Sequence, residues 1–175
     1  SDALKEAHVK HEIIGYHAPV NHEMKKINGS NGSYNRTINN LETIVFKSFN
    51  DKENRGIQNI DVNCSDNSDG ESLSLIGARL KKERSRRKIL FVLTDGKPFL
   101  SGADIATLDK NLMDSLSSLA RDKIEVFALG LNDFGKTFYK DNFLKVNDKK
   151  DIKKYLESMH VPILMKFKIN KVKWQ

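Results

Sequence analysis

The clearest chemical feature of the chain is KILFVLTDG, residues 88–96. Ile89, Leu90, Phe91, Val92 and Leu93 form an unbroken apolar run, and Thr94, Asp95 and Gly96 follow at once. Such a run marks a strand buried on both faces. Asp95 is therefore a carboxylate that a buried strand carries to its tip and holds up to solvent. In open α/β sheets, ligands gather at the carboxyl ends of the strands, near a topological switch point. Asp95 stands where that rule looks for chemistry.

The other reactive side chains are less well placed. His8, His11, His17 and His22 cluster early, and His11–Glu12 has the start of a helical zinc-peptidase motif. That motif needs a second histidine at i+4; the next is His17, and Glu12 lies in strand-like sequence. Zinc is not expected. No Gly-rich phosphate loop occurs, so the chain is not expected to bind or hydrolyse ATP. Cys64 is the one cysteine, in a polar stretch without a motif. It permits no disulfide within the chain, implies a reducing compartment and reads as a passive thiol. The basic run KKERSRRK (81–88) follows a helix and reads as a solvated or partner-facing patch.

The elements that position Asp95 follow from periodicity. Residues 2–10 read as the end of a helix, EIIGYHA (12–18) and LETIVFKSF (41–49) as strands, and 19–40, with NGSNGS at its centre, as a loop. A polar stretch, 50–68, precedes a helix with Leu73, Ile76, Gly77 and Leu80 on one face. Its basic end suits the negative pole of the helix dipole. A second helix over 103–121 carries the stripe Leu108, Leu112, Leu116 and Leu119. KIEVFALGLN (123–132) and FLKVND (143–148) read as strands and KDIKKYLESM (150–159) as a terminal helix. This alternation predicts an α/β fold, a mostly parallel, doubly wound sheet in three layers. The 175 residues suffice for one domain with a real core. The net charge of +7 is spread along the chain and balanced locally, except in the tail KFKINKVKWQ. Nucleic acid is accordingly not the expected partner, and binding through the tail predicts steep salt dependence. No signal-peptide pattern or membrane-length apolar run occurs, and the expectation is a cytoplasmic protein that does not enter a membrane.

ILFVLTDG closing a buried strand resembles the fourth strand of the von Willebrand factor A domain, which ends in T/S-D-G. The longer run DNSDGESLSLIGARLKKERSRRKILFVLTDGKPF is similar to that of one subgroup, the CobT subunit family of aerobic cobaltochelatase. There a D-G-E-x-L helix start leads through an arginine-containing helix to R-K-I-L and S-D-G-x-P. VFALGLNDFGKTFYKDNFLKVND, LETIVFKSFND and HEIIGYHA also fit the family, so the resemblance covers roughly residues 3–160. It implies a von Willebrand factor A-like, Rossmann-like domain over residues 1–164, followed by a basic extension, 165–175.

The resemblance also implies a metal-ion-dependent adhesion site. Mg²⁺ takes six oxygens in near-octahedral geometry and gives up water reluctantly, so a few loops supply hard ligands and leave open positions for a partner's carboxylate. Carried over residue by residue, the second loop matches at Asp69 and the third at Asp95, with Gly70 and Gly96 allowing tight turns beside the ion. Glu71 is a supporting residue or a helix cap. An aspartate at a helix start is also a plain N-cap, which is the competing reading of Asp69. The first loop, Asp-x-Ser-x-Ser on the first strand, has no counterpart in these residues. Either that strand lies upstream of Ser1 or this homologue lacks it, and an upstream piece, a second chain or the tail after Leu164 fills its place.

By resemblance, the expected function is a non-catalytic adaptor. It pairs with a CobS-like AAA+ ATPase and a large chelatase subunit, Mg²⁺ bridging it to an acidic side chain of its partner, for cobalt insertion into a corrin ring. The alternative is a generic interaction module working with a MoxR-type AAA+ ATPase in complex assembly or remodelling.

Overall fold

Strand-forming and helix-forming segments alternate as their periodicities predict, and the result is an α/β fold. The computed structural model describes Leu4 and residues 9–18, 41–51, 66–101 and 103–147. The loop 19–40, Cys64, His8, His22, the terminal helix 150–159 and the basic tail lie outside the described residues. Two compact units result: Ser1–Lys88 with Pro98–Ile124, and Ile89–Lys97 with Glu125–Gln175.

In the first unit, β1 (Ile13–His17) pairs antiparallel with β2 (Glu42–Lys47). The register runs from Ile13 opposite Lys47 to His17 opposite Glu42, with an irregularity between Ile13 and Ile14. A Cβ at Gly15 would come within 2.6 Å of the Phe46 ring, which would have to shift to admit it. Val9 and Lys10, expected at the end of a helix, lie outside any helix, as do His11 and Glu12.

Two helices complete this unit, α1 (Asp69–Lys81) and α2 (Ile105–Arg121). Asp104 caps α2 by accepting from the Thr107 amide at 3.0 Å. Arg79 and Lys81 occupy the last turn of α1, as the dipole favours. Each is also paired: Arg79 makes a two-pronged contact with Glu12, at 2.6 and 3.2 Å, and Lys81 meets Asp122 at 2.6 Å. The helices approach closely at Gly70, where a Cβ would lie 2.6–2.7 Å from the Asn111–Leu112 backbone. Of the expected stripe on α2, Leu108, Leu112 and Leu119 are buried. Ser115, not Leu116, fills the fourth buried position. A small hydroxyl residue belongs there because Ser115 Oγ donates to the Gly70 carbonyl at 2.6 Å and lies 2.8 Å from Ser74 Oγ.

The second unit holds a three-stranded parallel sheet in the order β3-β4-β5: β3 (Lys88–Thr94), β4 (Ile124–Gly130) and β5 (Phe143–Lys145). Ala128, Leu129 and Gly130 pair with Phe143, Leu144 and Lys145. The expected single sheet is thus divided into a two-stranded antiparallel sheet and a three-stranded parallel one. Along β3, Val92 and Thr94 are buried, whereas Phe91 and Leu93 are exposed, Leu93 at 74%. Phe91 stacks on Phe127 with centroids 5.8 Å apart. A short helix, α3 (Gly135–Tyr139), and a 3₁₀ turn (Lys140–Asn142) lie between β4 and β5, where the periodicity predicts no element. Phe138 and Tyr139 are buried there, so the aromatic pair anchors the segment and gives it order. Among the described residues no helix is long and apolar enough to cross a membrane.

Candidate metal centre

Asp69 belongs to the first unit. It is the first residue of α1 and 1% exposed. A carboxylate buried to that degree must be hydrogen-bonded. Its Oδ1 accepts from the Tyr16 hydroxyl at 3.0 Å and from Asn67 Nδ2 at 2.9 Å. Tyr16 comes from β1, far away in sequence. Asn67 is itself fixed: its Oδ1 accepts from the Phe99 amide at 3.0 Å, and its backbone exchanges hydrogen bonds with Phe99 in both directions. Next to it, Asp66 Oδ2 accepts from the Ser101 amide at 2.6 Å and its carbonyl accepts from Ala18 N at 2.7 Å. Residues 16–18, 66–69 and 99–101 are thereby tied together around one carboxylate.

This corrects two expectations. Asp69 is not the N-cap; that position is Ser68, which makes no side-chain capping bond. Gly70 serves close approach to α2 and not a turn, since it sits inside the helix. Glu71 meets Ser68 Oγ at 3.4 Å, and burial pushes its carboxyl above the usual carboxylate range.

Asp95 belongs to the second unit and is exposed, directly after β3. Its turn is closed by Gly96 N donating to Thr94 Oγ1 at 3.2 Å. Gly96 is required twice over. Its φ is +157°, and a Cβ would come within 2.7 Å of Asn132 Nδ2. That amide nitrogen donates to the Asp95 carbonyl, and Asn132 Oδ1 accepts from Phe134 N at 3.1 Å. Lys97 Nζ lies 5.0 Å from the centroid of the Phe134 ring, a cation–π distance.

Tyr16, Asn67 and Asn132 were not singled out in the sequence. Tyr16 meets Asp69, Asn67 meets Phe99 and Asn132 meets Asp95 across chain reversals, whereas the Asn67–Asp69 and Asn132–Phe134 contacts are only two residues apart. The described histidines form no metal cluster. His11 Nδ1 lies 2.8 Å from the Val9 carbonyl, and His17 Nε2 is 3.2 Å from Glu42. From the basic run, Lys81 is engaged with Asp122, and Glu83 pairs with Lys10 at 2.6 Å.

Mg²⁺ is commonly held by one or two carboxylates, with water completing the shell. Asp69 and Asp95 are that kind of donor, and ligating carboxylates are themselves held by hydrogen bonds, as Asp69 is. Among the described residues no group of three or more His, Cys, Asp or Glu is arranged to hold a metal. Each aspartate is therefore a single hard oxygen donor of the kind that Mg²⁺ accepts.

Residues 1–157 match the family model described as "Cobalamin biosynthesis protein CobT VWA domain". No curated protein and no solved structure gives a match. The matched span includes Asp69, Asp95 and every described strand and helix. An α/β chain with an acidic helix start and a strand closing in Thr-Asp-Gly, matched over most of its length, belongs to the CobT von Willebrand factor A domain family.

Proposed function

We propose that this domain is a non-catalytic adaptor of a cobaltochelatase. It couples a CobS-like AAA+ ATPase to the large subunit that inserts Co²⁺, the cargo, into a corrin ring. The family match over residues 1–157 carries this reading. Asp69 and Asp95 are the carboxylates that would hold Mg²⁺ in it, and the bound ion would offer open coordination positions to a carboxylate of the partner. Asp95, exposed at the end of β3, presents its carboxylate outward; Asp69 contributes from a buried, hydrogen-bonded position. The ATPase supplies the motion, and this domain transmits it.

Association of the purified chain with its cognate ATPase, measured by biolayer interferometry with Mg²⁺ and with EDTA, tests the proposal. Binding is expected with Mg²⁺, with loss of at least tenfold in EDTA or in Asp95→Ala. Equal binding under all three conditions overturns the metal bridge, and no binding under any of them overturns the adaptor.

A further inference from the structure

We infer that Tyr16 and Asn67 are positioning residues that set how tightly Asp69 holds a divalent cation. The inference rests on the metal reading proposed above.

Three observations carry it. Both groups meet the same oxygen, Oδ1, at 3.0 and 2.9 Å, and both act as donors. Two donors converging on one oxygen fix the rotamer of the carboxylate and leave the other oxygen, Oδ2, as the one to face a cation. The orientation of the amide is also determined. Asn67 Oδ1 accepts from Phe99 N at 3.0 Å, so Nδ2 must face Asp69. Finally, the phenol is held at its own base. Ala18, two residues after Tyr16, is bonded to the Asp66 carbonyl at 2.7 Å, and Tyr16 lies within the β1–β2 ladder opposite Thr43. Neither donor can follow Asp69 into another rotamer without breaking contacts elsewhere. One carboxylate oxygen is thus anchored from two directions by residues that are not themselves ligands. Outer partners of this kind change metal affinity by about 10- to 100-fold when removed.

A purely structural role predicts a different result, and Tyr16→Phe separates the two. The variant keeps the ring and removes only the hydroxyl. Mn²⁺ serves as the probe, with the dissociation constant read by electron paramagnetic resonance on the full chain and melting followed in EDTA and in Mn²⁺. Tyr16→Phe and Asn67→Ala are each expected to weaken Mn²⁺ binding about tenfold and to shrink the metal-induced rise in melting temperature. A lower melting temperature in EDTA with unchanged Mn²⁺ affinity in both variants overturns the inference and leaves a structural cradle. Failure of the underlying reading looks different. A wild-type chain that binds no Mn²⁺, or an Asp69→Ala chain that binds it as well as wild type, removes the metal site and this inference with it.

Discussion

The two aspartates at the centre of the proposal live in opposite surroundings. Asp69 is 1% exposed and hydrogen-bonded by side chains from two other parts of its unit. Asp95 is exposed, and what is held there is its backbone, through Asn132 and the Thr94–Gly96 turn. At Asp69 the side chain is part of the packing; at Asp95 the fold positions a peptide and leaves the carboxylate to solvent. Stability is therefore expected to depend on Asp69 and hardly on Asp95, even though both residues share one chemical group.

The sharpest way to break that contrast is to remove each carboxyl in turn. Asp69→Ala empties a buried position and removes the acceptor shared by the half-buried Tyr16 and Asn67, and is expected to cost about 1–3 kcal/mol in chemical denaturation. Asp95→Ala removes an exposed group and is expected to stay within about 0.5 kcal/mol of wild type. Equal losses would erase the distinction. A smaller effect is expected from Asn132→Ala, about 1 kcal/mol, with faster hydrogen exchange at the Phe134 amide, which loses its acceptor. Unchanged exchange there would show that the turn does not depend on the Asn132 side chain.

The smallest effect concerns Glu71, beside Asp69 on α1. Burial raises its carboxyl pKa in the folded chain, so the folded state binds this proton more tightly than the unfolded state. The resulting stabilisation is complete below the unfolded carboxylate range, about pH 4, and is lost as pH rises through the raised folded value. Glu71→Gln removes that loss. Its melting temperature relative to wild type is expected to rise modestly between pH 4 and pH 7. A difference that is flat across this range would mean that burial does not penalise the charged form.

What could be read from the sequence is what depends on local period. KILFVLTDG was legible as a strand with a carboxylate at its tip because a short apolar run bounded by Thr-Asp-Gly favours that form, and the strand ends at Thr94; it is not buried on both faces, since Phe91 and Leu93 are exposed. Leu73, Ile76 and Gly77 gave the buried face of α1 because helical spacing places them together. Leu116, expected in the buried stripe of α2, is only half-buried, and Ser115 takes the buried position because its hydroxyl meets the Gly70 carbonyl. The cradle of Asp69 was not legible. Tyr16 looks like any strand aromatic and Asn67 like any loop amide, and only folding brings 16, 67 and 99 together. The order of residues 135–142 was missed for a similar reason. Phe143 packs against Gly130 and Gly135, where any Cβ would collide with its ring, and that contact joins strand to helix across a chain reversal.

Asn132 has one more consequence. A single amide grips a carbonyl on one loop and an N–H on another, so the peptides of Asp95 and Phe134 are held to one side chain. The exposed Phe134 ring thus stands on a backbone that is tied to the tip of β3.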